Sequence, residues 1–261
     1  MADIPEIEVI RPDWPAPANV HAFTTTRKGG FSRGPWSSFN LGANCGDDQR
    51  NVEKNRRLLS GLLPSEPRWI NQVHGTRAVR WDQANDTMTG ADAIVSNQTG
   101  QVCAVLTADC LPVLFCNRSG TRIAAAHAGW RGLAAGVLEA TVLAMDCKPL
   151  DLMAWLGPAI GPQAFEVGKD VYDSFVVSNS ENAIAFTEHG DRWLADLYQL
   201  ARLALTRTGI CQVSGGGYCT YFDSERFFSC RRDSVTGRLS SIIWLENEFE
   251  VSDDKAGVWA S

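Results

Sequence analysis

A chain of 261 residues with 44% apolar and 21% charged side chains can bury a sizeable core, which excludes a disordered or fibrous protein. Its net charge of −6, with no basic run beyond Arg231-Arg232, argues against general affinity for nucleic acid. Asp3, Glu6, Glu8 and Asp13 among the early prolines rule out a signal peptide, and no apolar run matches a bilayer span, so a cytoplasmic protein without membrane contact is expected.

In that compartment the eight cysteines are expected to be reduced, with Cys103, Cys116, Cys147 and Cys211 serving as small core hydrophobes. No C-x-x-C pair exists, which removes compact zinc ribbons and thioredoxin-type redox motifs. Histidine is scarcer still: His21, His74, His127 and His189.

Taken in order, the chain opens with a Pro-rich lead-in over 1–19 and a strand over Val20–Thr26. Gly30-Phe31-Ser32-Arg33-Gly34 matches the nucleophile elbow of serine hydrolases, but that motif needs a helix next, and Gly34-Pro35 offers none. Asp47-Asp48 predicts an N-cap for a helix to about Leu63, with Val52, Leu58, Leu59 and Leu62 as its apolar stripe. Arg50, Lys54, Arg56 and Arg57 read as its solvated face. Strands are expected over Trp69–Val73, Ala78–Trp81, Ala91–Ser96 and Gln101–Thr107. A helix over Leu133–Met145, a strand over Leu152–Leu156, a rigid Gly/Pro loop over 157–162 and a helix ending near Val177 continue the pattern. Trp193, Leu197, Leu200, Ala201 and Ala204 place one stripe on a helix from Arg192 to Thr208, stopped by Gly209. Phe227–Arg232 and Leu239–Trp244 alternate as a hairpin. No repeat or linker divides residues 1–261, so one α+β domain with loose termini at about 1–10 and 247–261 is expected.

The stretch from Val102 to Val142 breaks its own pattern. Two apolar runs read as buried strands, yet Asp109-Cys110 interrupts one and His127 ends the other. Such groups must find partners or carry a heavy desolvation cost. The residues anomalous in this sense are Asn40, His74, Asp109, Cys110, His127, Arg131 and Glu166. Two imidazoles and a thiolate suit a borderline metal, and three protein ligands leave a fourth position open, as in catalytic zinc sites. Separations of 36 and 17 residues fit no compact finger, and spacing alone equally suits buried, satisfied side chains. Arg131, between Gly129 and Gly132 before a helix, is placed either to grip an anion or to pair with a structural carboxylate.

These segments carry a resemblance. N-Q-V-H-G at 71–75, T-A-D-C-L-P-V at 107–113, H-A-G-W-R-G at 127–132, and G-P-A-I-G-P with A-F-E-V-G within 157–168 resemble the YfiH family, also called laccase-domain or DUF152 proteins. S-F-N-L-G at 38–42 and F-F-S-x-R-R-D at 227–233 match as well, so the likeness covers roughly residues 11–246. It implies a four-layer α/β/β/α fold with mixed sheets, similar to the catalytic core of cytotoxic necrotizing toxins. It also implies zinc ligands at His74, Cys110 and His127, the triple already marked by anomaly. The implied activity is phosphorolysis of adenosine, inosine, guanosine or methylthioadenosine to free base and ribose 1-phosphate, with adenosine deamination in the same site.

On that reading the partners are a purine nucleoside and phosphate. Asp109, Arg131 and Glu166 are the catalytic candidates, while Asn40 and Arg131 are the substrate-binding ones. Copper is acceptable at the same ligands, since it binds more tightly than zinc. A trinuclear copper cluster, however, would have only His21 and His189 left to build it. The competing classes are a cysteine hydrolase using Cys110 and His127, of the kind that edits cell-wall precursors, and a non-catalytic adaptor with a vestigial metal site, beside weak copper-dependent polyphenol oxidation.

Overall fold

The computed structural model describes residues 6–84 and 90–246. Two short strands open it: β1 (Val9–Ile10) pairs antiparallel with β2 (Val20–Thr25). Helix α1 (Gln49–Ser60) starts at Asp48, whose carboxylate accepts the Arg50 N–H at 2.9 Å, the cap the sequence predicts. Strands β3 (Ala78–Arg80), β4 (Ala93–Ser96), β5 (Cys103–Thr107), β6 (Leu111–Asn117) and β7 (Ile123–Ala128) follow. After them come α2 (Trp130–Ala135), α3 (Val137–Ala144), β8 (Leu152–Leu156), β9 (Glu166–Val167) and α4 (Lys169–Val176). The chain continues through β10 (Phe186–His189), β11 (Arg192–Ala195), α5 (Leu197–Thr208), β12 (Gln212–Gly215), the short α6 (Cys230–Asp233) and β13 (Leu239–Leu245).

A mixed six-stranded sheet runs β12-β8-β6-β7-β4-β3, and an antiparallel four-stranded sheet runs β1-β2-β13-β5. Successive strand residues face opposite sides, so each sheet buries two faces. Between the sheets, Cys103, Val105 and Ile243 meet Leu114, Ile123, Ala125 and Trp155. Outside the six-stranded sheet, Val113, Phe115 and Ala126 pack with Leu138 of α3 and with Leu200 and Ala204 of α5. On the far side of the four-stranded sheet, Phe23, Ala104 and Ile242 pack with Leu59 of α1. The result is the four-layer α/β/β/α arrangement. A third, small sheet, β10-β11-β9, lies at one side.

Several expected elements differ, each for a local reason. Trp69–Val73 forms no strand, because the Gln72 amide takes the place of a ladder: it donates to the Leu106 carbonyl and accepts the Leu106 N–H, both at 2.8 Å. The helix expected over Leu133–Met145 begins earlier, at Trp130, and is broken by Gly136 at φ 99°. Residues 192–195 pair as β11 with β10 and β9, so the following helix begins only after Asp196 caps it. No C-terminal hairpin forms: Ser229 caps a helical turn, and β13 pairs instead with β2 and β5. Of the expected core cysteines, Cys103 and Cys116 are buried, Cys147 is half-buried and Cys211 is exposed. The N-terminal segment is tied down from Val9 by β1, while 1–5 and 247–261 lie outside the described residues.

One polar residue sits inside the apolar stripe of α1. Asn55 is fully buried and stitches the 30–40 loop to the helix. Its Oδ1 accepts the Phe31 N–H at 2.8 Å, and its Nδ2 donates to the Asn40 carbonyl at 2.8 Å and to Ser32 Oγ at 3.0 Å. Ser32, the centre of the elbow-like motif, is thus a buried acceptor. Removing one side of such bonds strands the partners without water. Asn55→Ala should therefore lower unfolding free energy by about 2–4 kcal/mol in urea titrations, with the m-value unchanged.

Candidate metal centre

β5 belongs to the four-stranded sheet and β6 to the six-stranded one, so residues 108–110 are the corner at which the chain changes sheets. Asp109 turns that corner at φ 92°, a conformation unfavourable for a residue with a Cβ. Its carboxylate secures the corner to two distant segments: it accepts the Thr220 hydroxyl at 2.6 Å and the Arg231 N–H at 2.7 Å. Its carbonyl accepts the Ile160 N–H at 2.9 Å. Cys110 follows directly, the residue before β6, whose first residue, Leu111, pairs with Ala128 at the end of β7.

On β7, Ile123, Ala125 and His127 share the inter-sheet face by alternation, so His127 ends a buried apolar row. His74 lies on the 71–75 loop at φ 60°. One side chain governs both imidazoles. Asp92, with no exposed surface, accepts His127 Nδ1–H at 2.8 Å. The same carboxylate accepts the N–H groups of Val73, His74 and Gly75 at 3.2, 2.9 and 2.7 Å. Glycine at 129 is needed here, since a Cβ would stand 2.7 Å from His74 Cδ2 and 3.0 Å from Cys110 Sγ.

The candidate ligand atoms of His74, Cys110 and His127 lie within 4.8 Å of one another. Cys110 Sγ is 3.8 Å from His74 Nε2, and a tetrahedral divalent ion would hold such a pair roughly 3.5 Å apart. The donor set therefore fits one ion. Burial pushes the Cys110 thiol up, but the neighbouring His127 and His74 rings outweigh it and bring it down to about 6. Burial likewise opposes charge on His127, and the Cys110 thiolate with the Asp92 hydrogen bond raises it overall. Asp92 is held below the usual carboxylate range: its burial acts upward and is overcome by His127 and the loop N–H groups. A divalent ion would take Cys110 and His127 as thiolate and neutral imidazole, displacing their protons.

The triple faces a cleft of about 790 Å³. Arginines 56, 131, 231 and 238 line it, and Asp109 is the one carboxylate among the lining residues. Three of these guanidiniums sit over aromatic rings: Arg56 on Trp69 at 4.4 Å, Arg131 on Trp130 at 4.3 Å and Arg231 on Phe165 at 5.4 Å. Arg56, expected on a solvated face, thus turns toward the cleft instead. Arg131 is exposed and pairs with no carboxylate among the described residues, although α2 behind it has only six residues.

Two sequence candidates lie elsewhere. Asn40 is fully buried and spent on its own loop: its Oδ1 accepts the N–H groups of Gly42 and Arg238, and its Nδ2 donates to Asp47 at 2.9 Å. The Glu166 carboxylate accepts His189 Nδ1 at 2.9 Å and lies 3.7 Å from Arg192, outside the cleft lining. Only its carbonyl turns inward, receiving Arg231 at 2.8 Å. Asp92 is the residue sequence reasoning passed over. Its signal was an acid opening an otherwise apolar strand.

A family described as multi-copper polyphenol oxidoreductase laccase matches residues 21–246. The purine nucleoside phosphorylase YfiH of Shigella flexneri is 54% identical over 240 residues, covering 91% of this chain and 99% of that one. A purine nucleoside phosphorylase of Haemophilus influenzae is 49% identical over 246 residues, covering 92% and 100%. Among solved structures, the Neisseria meningitidis DUF152 protein NMB0706 superposes with a TM-score of 0.87 at 49% identity, covering 92% and 99%. With likeness of that extent in sequence and fold alike, this chain belongs to the YfiH, or DUF152, laccase-domain family.

Proposed function

We propose that the protein is a zinc-dependent purine nucleoside phosphorylase. The observation that carries this reading is the convergence of His74, Cys110 and His127 at the wall of an arginine-lined cleft, with one coordination position left for substrate. The names of its relatives supply the nucleoside and phosphate. Zinc, when bound, supplies a Lewis acid toward an oxygen of phosphate or sugar.

The chain's own residues do the rest. Arg131, held over Trp130, offers a guanidinium fork to phosphate and keeps it against the anomeric carbon. Trp69, Trp130 and Phe165 give the purine apolar walls and exclude water from the reacting bond. Asp109 serves as a positioning residue, because both its oxygens already accept protein donors. That same commitment weakens adenosine deamination as a second activity, since it leaves the cleft lining no unengaged carboxylate to move protons. Glu166 and Asn40 have no part in the reaction on this reading. No described helix is long and apolar enough to cross a membrane.

One observation favours a second reading. Asp92 accepts the His127 Nδ1–H, and His127 in turn lies beside Cys110, the order of a cysteine hydrolase triad. Copper oxidation is less favoured, because His21 and His189 are bound to Glu246 and Glu166.

Four outcomes are expected. Adenosine or inosine should release free base only when phosphate is supplied, and Cys110→Ala should lose both its stoichiometric zinc and its turnover. Arg131→Ala should raise the phosphate KM by about 10- to 100-fold while shifting the nucleoside KM little, as loss of a charge-assisted pair implies. Chelation should abolish turnover and zinc restore it. Activity that survives chelation but is lost when iodoacetamide alkylates Cys110 would establish the hydrolase instead.

A further inference from the structure

We propose that Asp92 is a positioning residue that locks His74 and His127 into one preformed unit, so that the metal site is built before any ion arrives. This rests on reading His74, Cys110 and His127 as ligands. A carboxylate only accepts hydrogen bonds, so its 2.8 Å contact fixes the proton on His127 Nδ1 and turns Nε2 toward Cys110 and the cleft. The carboxylate reaches the second histidine through the backbone. Three successive N–H groups, from Val73, His74 and Gly75, converge on it, and this concave array holds His74 at φ 60°.

Neither link is replaceable from elsewhere. The His127 N–H donates to the Asp92 carbonyl at 2.7 Å, so strand pairing and side chain set the register of the same two residues. His74 has no regular secondary structure to fix it, since residues 69–77 belong to no helix or strand. Its ring nevertheless stands 4.8 Å from that of His127, nearly perpendicular at 77°. A free loop would not keep that orientation without its anion.

The test compares zinc affinity, by competition with a chromophoric chelator, in wild type, Asp92→Asn and Asp47→Asn. Asp47 is also buried and hydrogen-bonded, but it serves the Asn40 loop, so it controls for general loss of stability. Asparagine at 92 would put an amide donor against N–H donors. Folded Asp92→Asn should bind zinc about 10- to 100-fold more weakly, the usual cost of losing such a support, and Asp47→Asn should bind as wild type. Equal affinity in folded Asp92→Asn overturns the proposal. Should that variant not fold, wild type loaded with ¹¹³Cd and ¹⁵N-labelled at histidine decides: coupling to His127 Nε2 with a proton on Nδ1 supports it, and coupling to Nδ1 overturns it. Wild type that binds no zinc overturns the ligand reading itself, and this inference with it.

Discussion

A charge withdrawn entirely from water must be met by donors, and the Asp92 carboxylate meets that demand with four of them. Much of the local architecture follows. The 73–75 loop has to turn back over β4 to deliver its N–H groups, and β7 has to end beside β4 to deliver His127. Once loop and strand are pinned there, Gly129 is the only residue type that lets the chain leave β7 past His74 and Cys110. The motifs around residues 74, 110 and 127 are therefore the sequence imprint of one packed corner.

A second constraint shapes the cleft. Residues 108–110 must carry the chain from one sheet to the other, and Asp109 pins that crossing to Ile160, Thr220 and Arg231. Opposite it, arginines gather in a protein whose net charge is negative. They are held by ring faces and carbonyls: Arg56 donates to the Leu41 carbonyl, and Arg238 to those of Thr236 and Gly237. Guanidiniums gathered in one cleft direct positive potential at whatever enters. Such a field suits an anionic substrate beside a neutral one.

The α+β character was legible because buried strands write themselves as short apolar runs, while the four layers followed only from the family resemblance. Cys110 and His127 stood out because they broke those runs. Other features depended on contacts no single-chain pattern encodes. Asn40 and Glu166 looked like site residues because they are polar in striking motifs, yet one is consumed by Asp47 and Arg238 and the other by His189. Gln72 stands in for a strand's ladder through its side chain, which periodicity cannot register. Asp92 was hidden for the opposite reason. An acid at the start of a strand is unremarkable until three amides and an imidazole are seen to converge on it.

The histidine inventory also bears on how copper should be read in this family's description. Multi-copper oxidation passes electrons from one copper to a cluster held by several further imidazoles, so it requires a second group of histidines within reach of the first. Only four histidines exist in the chain. His21 stacks on Trp244 and bonds Glu246, and His189 bonds Glu166, so neither lines the cleft. Among the described residues His74, Cys110 and His127 form the one cluster able to hold an ion. A single site of two imidazoles and a thiolate accepts copper because copper outcompetes zinc for nearly any such donors. It then lacks the partner cluster that would carry four electrons to oxygen. Affinity for copper and the chemistry of a laccase are separate properties, and the candidate ligands would suit the first without the second.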